Sequence, residues 1–136
     1  MIVFLDASAL IYLIEGKQPC AGRVRSELAR LVRKHADLDI AVSRLAWLEC
    51  RVRPARENDL QTLADFDAFF DRPDLQWVEL SRDVVELATA IRVKHGLRTA
   101  DALHAASCIH LGQSHVFLTG DAGFRKVDGL TVRVLT

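Results

Sequence analysis

The sequence predicts a three-layer α/β/α fold, in which helices flank a five-stranded parallel sheet of strand order 3-2-1-4-5. Short apolar runs without polar alternation, such as residues 2–5, are typical of strands that are buried on both faces. These runs alternate with longer segments of helical spacing, which is the pattern of right-handed strand–helix–strand units. In the predicted order, strands 1 and 4 are neighbours where the crossovers change face and a crevice opens.

The first strand–helix unit places an acidic residue at the end of a strand. Residues 2–5 form a continuous apolar run, and Asp6 follows it directly. Ser8 is a favourable N-cap for the helix that comes next, and Gly16 is a favourable stop. We therefore expect Asp6 at the carboxyl end of a buried central strand, which is the edge where open α/β sheets bind ligands.

A long amphipathic helix, a strand and a shorter helix come next. A proline opens the helix over residues 19–36. Residues 38–42 form the second strand, and Ser43 caps a helix over residues 44–52. We expect this helix to stop before Pro54, because proline lacks the N–H group that the helix interior requires.

The middle of the chain supplies two more helices and the third strand. Residues 56–70 carry leucine and phenylalanine at helical spacing, and Pro73 ends that helix. Residues 75–80 form the third strand. Ser81 then caps a helix that Gly96 closes.

The remaining segment contains a buried helix and two strands. Thr99 caps a helix that is apolar nearly all round, so we expect it in the interior. Residues 116–118 form the fourth strand, a turn covers residues 119–121, and a short helical piece surrounds Phe124. Residues 130–135 form the fifth strand.

The composition is that of an ordinary globular protein. The 136 residues are 50% hydrophobic and 26% charged, which predicts a single domain over residues 1–136 with one proper core. Three widely spaced cysteines predict neither a disulfide framework nor a cysteine-rich metal site. We see no signal-peptide pattern and no apolar run of membrane length, so we expect a cytoplasmic protein with no membrane partner.

Charge is distributed unevenly, although the net charge is zero. Residues 21–56 contain nine lysines and arginines against four acids, and residues 57–91 contain nine acids against two arginines. Such asymmetry indicates either a basic face or a solvated helix surface.

Four acidic residues are expected to meet in the crevice between strands 1 and 4. Asp6 ends strand 1, and Asp121 follows strand 4, with a turn or cap residue as the alternative role of each. Glu49 lies in the helix after strand 2, with a surface pair to Arg53 as its alternative role. Asp101 lies in the first turn of the buried helix, where a charge needs a partner. An all-oxygen cluster suits Mg²⁺ or Mn²⁺, and such sites favour metal-dependent phosphodiester cleavage.

The chain resembles the PIN-domain nucleases, and most closely the VapC-type toxins of toxin–antitoxin pairs. The resemblance covers the whole chain and rests on four short motifs. These are residues 4–10 (FLDASAL), Glu49 after residues 43–45 (SRL), residues 99–106 (TADALHAA) and residues 118–124 (LTGDAGF). Each motif alone is weak, but four in this order at the predicted strand ends are specific.

The resemblance implies a PIN-like fold and an endoribonuclease that depends on Mg²⁺ or Mn²⁺. It implies that Asp6, Glu49, Asp101 and Asp121 surround the ion, with Thr119 as a supporting residue. It also implies single-stranded RNA as the substrate, a homodimer, and an antitoxin partner that blocks the site.

Several other polar residues have both structural and functional interpretations. Ser8 is interpreted as a helix cap, with contact to the metal shell as the alternative. His104 and Cys108 have the i, i+4 spacing of metal ligands, but on an apolar helix we interpret them as core residues. Basic residues close to the acids in sequence are candidates for phosphate contacts. These are Arg51, Arg53, Arg98, Arg125 and Lys126.

Two alternatives within the same fold remain open. One is a housekeeping RNA-processing nuclease, and the other is a non-catalytic module that binds RNA or a protein partner. The non-catalytic module is disfavoured because all four acids are present in the sequence. A phosphatase of the haloacid dehalogenase type would need a second aspartate where Ser8 stands, and a receiver domain would need a lysine after strand 5.

Overall fold

The computed structural model describes residues 1–136 and contains five strands, six α-helices and a short 3₁₀ helix over Ala122–Lys126. The strands are β1 Ile2–Leu5, β2 Asp39–Ser43, β3 Gln76–Val78, β4 His115–Thr119 and β5 Val132–Val134. The helices are α1 Ala7–Glu15, α2 Cys20–Lys34, α3 Arg44–Arg56, α4 Leu60–Phe70, α5 Arg82–His95 and α6 Thr99–His110.

All five strands are parallel, and their order in the sheet is β3-β2-β1-β4-β5. The predicted fold class and strand order are confirmed. β1 is the central strand, in which Phe4 pairs with Ala41 of β2 and with Phe117 of β4. Because parallel strands end at one edge, Asp6 after β1 lies beside the residues that follow β4.

Two hydrophobic clusters cover the two faces of the sheet, because successive side chains of a strand point to opposite faces. Val3 and Leu5 pack on one face with residues of α1, α2, α3 and α4. Ile2 and Phe4 pack on the other face with α5, α6 and Phe124 of the 3₁₀ helix. All four residues of β1 are fully buried, as the uninterrupted apolar run predicts.

The predicted end of the third helix is wrong. α3 continues to Arg56 with Pro54 inside its last turn, and α4 begins at Leu60, not at residue 56. Proline removes one backbone donor, but the Pro54 ring is buried, and the carbonyl of Pro54 accepts a hydrogen bond from the backbone of Asp59 at 2.8 Å. Loss of one hydrogen bond in a last turn does not end a helix whose proline is packed in this way.

Two predicted caps are also wrong. Asp6 caps α1, because its carboxylate accepts a hydrogen bond from the backbone of Ala9 at 2.9 Å, and Ser8 lies inside the helix. Arg98 occupies the cap position of α6 without a side-chain hydrogen bond to the backbone. Thr99 is already helical, and its hydroxyl accepts a hydrogen bond from Arg92 at 3.1 Å.

The remaining boundaries follow the prediction closely, and the edge strands differ most. β3 and β5 have three residues each, because an edge strand has a neighbour on one side only. Ser43 and Ser81 cap α3 and α5 as predicted. All six α-helices are too short or too polar to cross a membrane.

Candidate functional site

Asp6 is a buried carboxylate at the carboxyl end of β1, and only 4% of its surface is exposed. One oxygen accepts hydrogen bonds from the Ser8 hydroxyl at 2.6 Å and from the backbone of Ala9 at 2.9 Å. The other oxygen accepts a hydrogen bond from the Thr119 hydroxyl at 2.5 Å. Three donors therefore offset the desolvation of this carboxylate and fix its orientation.

The same two hydroxyls tie the end of β1 to the turn after β4. Thr119 Oγ1 accepts a hydrogen bond from the backbone of Asp121 at 3.0 Å, and Ser8 Oγ accepts one from the backbone of Gly120 at 2.9 Å. The Asp121 carboxylate in turn accepts a hydrogen bond from the backbone of Gly123 at 2.8 Å. Ser8 and Thr119 thus link Asp6 to the turn that carries Asp121.

All four predicted acids line one cavity of about 280 Å³ at this edge of the sheet. Asp6 comes from β1, Glu49 from α3, Asp101 from α6, and Asp121 from the start of the 3₁₀ helix. An adjoining cavity of about 160 Å³ shares Asp101 and Asp121 with the first and extends it toward the loop between α5 and α6. The structure therefore brings together residues that are up to 115 positions apart in sequence.

Phe124 fixes the position of the 3₁₀ helix and hence of Asp121. Its ring packs on Phe117 of β4 with a centroid distance of 4.7 Å, and Phe117 stacks on Phe4 of β1 at 5.4 Å. Phe124 is 2% exposed, so the segment that follows Asp121 is anchored in the core.

Asp101 shows the electrostatic character of the cavity most clearly. Burial raises the pKa of its carboxyl group, and the nearby negative charge of Asp121 raises that pKa further. His104 and Arg98 act in the opposite direction with smaller effect, and Asp6 adds a further increase. The carboxylates are thus close enough to repel one another, and the cavity favours a cation.

His104 is the site residue that the sequence interpretation missed. The prediction of burial is right, since its side chain is 3% exposed, but its Nε2 lies 2.5 Å from the Glu49 carboxylate. Its Nδ1 has no hydrogen-bond partner. The expected alternative for Glu49, a pair with Arg53, is not formed, because Arg53 pairs with Glu15 and Glu57. The sequence did contain one indication that His104 belongs to the site, because His104 lies three residues after Asp101 and therefore on the same side of α6.

The five predicted phosphate-binding residues lie in different surroundings. Arg98 lines both cavities, and Lys126 lines the smaller one. Arg125 is exposed and lines neither cavity. Arg51 pairs with Asp67 at 3.0 Å and lies over the Trp47 ring, and Arg53 forms the two ion pairs given above.

The donor set of the cavity fits a hard divalent cation, because every acidic ligand offers oxygen atoms. In the present side-chain positions no three acidic, histidine or cysteine residues converge as a metal-ligand group. Asp6 is held by Ser8 and Thr119, and Glu49 is held by His104. Mg²⁺ commonly keeps several waters and contacts only one or two carboxylates directly, so this spacing remains compatible with such an ion.

Comparison with known proteins defines the class. The PIN domain family model matches residues 3–130, and the chain belongs to the PIN domain family. A search of curated proteins gives no significant match.

Solved structures that share the fold are toxin–antitoxin proteins. VapBC2 from Rickettsia felis, bound to a DNA fragment from its promoter, has a TM-score of 0.79, 18% identity and 100% coverage of both chains. DNA-bound VapBC from Salmonella typhimurium has a TM-score of 0.75 and 15% identity, with 100% of this chain and 99% of that chain covered. VapBC-1 from nontypeable Haemophilus influenzae has a TM-score of 0.74 and 16% identity, with coverage of 99% and 98%. At these identities the likeness concerns the fold.

Proposed function

We propose that this protein is a metal-dependent endoribonuclease and the VapC-type toxin of a toxin–antitoxin pair. The observation that carries the proposal is the cavity in which Asp6, Glu49, Asp101 and Asp121 meet at the carboxyl edge of a PIN-domain sheet. The raised pKa of Asp101 supports it, because a carboxylate cluster that repels itself is stabilised by a bound cation.

The four acids would hold Mg²⁺ or Mn²⁺. When bound, the ion would supply Lewis-acid stabilisation of a phosphodiester and a water of lowered pKa. The protein supplies the orientation of the ligands: Ser8 and Thr119 hold Asp6, and His104 holds Glu49. Such supporting contacts set both ligand position and basicity.

RNA phosphates would be held by basic residues at the rim of the acidic cavity. Arg98 and Lys126 are best placed, because both line the cavities and neither forms an ion pair. Arg125 is the exposed neighbour of Lys126. Arg51 and Arg53 would have to exchange their present carboxylate partners for phosphate, so we expect them to contribute less.

The proposed protein partners are an antitoxin and a second copy of the chain. Toxin–antitoxin complexes among the structural neighbours favour the first. An acidic cavity is also a suitable receptor for an arginine side chain of an antitoxin, since guanidinium pairs bidentately with carboxylate. Leu48, Val52 and Leu60 are exposed apolar residues of α3 and α4 that would suit a homodimer surface.

Cleavage of a 5′-labelled oligoribonucleotide tests the enzymatic part of the proposal. We expect cleavage with Mg²⁺ or Mn²⁺, none in excess EDTA, and a rate that falls by orders of magnitude in Asp101→Asn. Arg82→Ala is the control, since Arg82 is an exposed residue of α5 that pairs only with Glu86. Undiminished cleavage in EDTA or in Asp101→Asn would contradict metal-dependent catalysis at this cavity.

A further inference from the structure

A second concave surface lies between α2 and β5, outside the acidic cavity, and we name it the α2–β5 groove. It has a volume of about 580 Å³ and is lined by Arg23, Arg30 and Arg33 of α2 and by Arg133 of β5. Glu27 is its only acidic residue, so four arginines and one glutamate give it a local charge of +3. Three of these arginines belong to the basic segment of residues 21–56, and none of the three lines the acidic cavity.

We propose that the α2–β5 groove binds the phosphate backbone of single-stranded RNA that extends beyond the acidic cavity. This inference rests on the proposed function, because it takes RNA as the substrate. It assigns a binding role to arginines that are remote in sequence from all four acids.

The arrangement of the α2 arginines supports a binding surface. Arg23, Arg30 and Arg33 are spaced by seven and three residues, which places them on one side of the helix. They extend over about 15 Å at 1.5 Å per residue, so they form a row and not a single point of charge. Arg133 comes from another element, 100 residues beyond Arg33, and faces the same concavity.

Ion pairing inside the protein accounts for only part of this charge. The Glu27 carboxylate lies 2.5 Å from Arg30 and 3.3 Å from Arg133. The hydrogen bond from Arg30 lowers the pKa of Glu27, and the positive charge of Arg133 lowers it further. One carboxylate thus orients two guanidinium groups and neutralises one charge. Arg33 has no ion-pair partner, and Arg23 donates only to the carbonyl of Leu135 at 3.4 Å.

One end of the groove is connected to the turn after β4 through the end of β5. The backbone of Leu135, which lines the groove, donates to the carbonyl of Thr119 at 2.8 Å. The hydroxyl of Thr136 donates to the carbonyl of Gly120 at 3.4 Å. The floor of the groove is therefore hydrogen-bonded to the turn that carries Asp121.

Tyr12 packs against the turn that carries Asp121. Its hydroxyl is so close to Gly120 that a side-chain carbon there would lie 2.5 Å away. An RNA strand that leaves the cavity over Gly120 would pass this ring, and aromatic rings are common stacking partners for unpaired bases.

Charge complementarity favours RNA as the occupant. The four carboxylates of the cavity repel phosphate, so affinity for RNA must come from basic surfaces around it. The groove is lined by four arginines, and its end at Leu135 is hydrogen-bonded to the end of β4. An acidic polypeptide is the competing occupant.

Fluorescence anisotropy with 5′-labelled single-stranded RNA tests the groove. All variants are made in the Asp101→Asn protein, so that binding is measured without cleavage. The double variant Arg23→Ala/Arg33→Ala removes two arginines that form no ion pair. We expect a several-fold weaker Kd and a log–log salt slope that is shallower by about 1.4, since each phosphate contact on a single strand contributes roughly 0.7.

Two further variants control the interpretation. Arg25→Ala removes the same charge from an exposed position of α2 that does not line the groove, and it should leave the slope unchanged. Glu27→Gln removes the acid of the groove and should tighten RNA binding, an effect that misfolding cannot produce. Competition by poly-glutamate shows whether an acidic polypeptide uses the surface instead.

The outcomes separate this inference from the proposed function. An unchanged slope in the double variant, together with no gain in Glu27→Gln, would overturn the groove and leave metal-dependent cleavage standing. Loss of RNA affinity in the double variant would support the groove even if the wild-type protein proved to cleave no RNA. Poly-glutamate binding that depends on these arginines, with RNA binding that does not, would also overturn the inference.

Discussion

Asp6 and Asp101 line the same cavity but lie in opposite surroundings. Asp6 has three hydrogen-bond donors, whereas Asp101 is desolvated beside other carboxylates and has a raised pKa. Ionisation of Asp101 is therefore less favourable in the folded protein than in the unfolded chain. The resulting loss of stability is absent below the pKa of an unfolded aspartate, about 3.9, and is fully present above the folded-state pKa.

Asp101→Asn should therefore stabilise the metal-free protein at neutral pH, and this gain should disappear as the pH falls below about 4. Thermal unfolding at the two pH values measures the effect. Added Mg²⁺ should raise the Tm of the wild type more than that of the variant, because only the wild type retains all the carboxylates. A variant that is less stable than the wild type at neutral pH would show that Asp101 is not under electrostatic strain.

Asp6→Asn provides the opposite case. The Asn side chain can still accept from the backbone of Ala9 and cap α1, but its NH₂ group replaces the oxygen that accepts from the Thr119 hydroxyl. We expect a loss of about 0.5–1.5 kcal/mol, the net contribution of one hydrogen bond. Stability equal to that of Asp101→Asn would contradict the different roles of the two carboxylates.

His104 orients Glu49, and its replacement should weaken metal binding. In His104→Leu the Glu49 carboxylate loses its fixed donor, and Mn²⁺ affinity should fall by roughly 10- to 100-fold, as for other residues that support metal ligands. Calorimetric titration of Mn²⁺ measures this without RNA. His104→Gln, which keeps a donor, should recover part of the affinity, and Cys108→Ala is the control on the same buried helix. Unchanged Mn²⁺ affinity in His104→Leu would make His104 a packing residue only.

The sequence indicated the acids because Asp6 and Asp121 follow strands, Asp101 lies in the first turn of α6, and Glu49 lies in the helix that follows β2. It could not indicate the contact between His104 and Glu49. These residues are 55 positions apart on two helices, and the distance between α3 and α6 depends on how both pack beside the sheet.

Thr119 links two elements, β1 and the segment after β4. Thr119→Val keeps the shape but removes the hydroxyl that donates to Asp6 and accepts from the backbone of Asp121. The buried Asp6 carboxylate would lose one of its donors and the backbone of Asp121 its acceptor, so we expect a loss of about 1–3 kcal/mol with slower RNA cleavage. Urea unfolding measures the loss. Thr131→Val, at an exposed position, is the control, and equal stability of the two variants would contradict the proposed link.

At the scale of elements, the sequence was least informative about helix ends. Asp6 and Ser8 are both good caps, and the choice between them depends on where the chain leaves β1. Pro54 is a strong local stop signal, but burial of its ring allows α3 to continue for one more partial turn. Tertiary packing decided both cases, and neither error moved an acidic residue away from the cavity.

The folded protein places basic and acidic residues on different surfaces, although their charges sum to zero over the sequence. The sequence asymmetry indicated either a basic face or a solvated helix surface, and several arginines of residues 21–56 pair with acids of other elements. Arg44 pairs with Glu79, Arg51 with Asp67, and Arg53 with Glu15. Arg23, Arg25 and Arg33 of α2 form no ion pair, so the uncompensated basic charge is smaller than the sequence count suggests, and part of it lines the α2–β5 groove.

The exposed apolar residues of α3 and α4 predict a homodimer. Leu48, Val52 and Leu60 are 62%, 46% and 72% exposed, and Leu48 and Val52 are four residues apart on one side of α3. A homodimer through this surface would bury them, and a stable interface requires about 800 Å² per subunit. Leu48→Glu/Leu60→Glu should therefore give a monomer, because charges would have to be desolvated in the interface.

Size-exclusion chromatography with light scattering distinguishes the two states. Val93→Glu is the matched control, since Val93 is an apolar residue that is 83% exposed on α5, and α5 packs on the opposite face of the sheet from α3 and α4. We expect this control to remain dimeric. A wild-type protein that is monomeric at all concentrations tested would contradict the homodimer. A dimer that survives Leu48→Glu/Leu60→Glu would place the interface elsewhere, and the exposed side of α3 and α4 would then be available to the antitoxin.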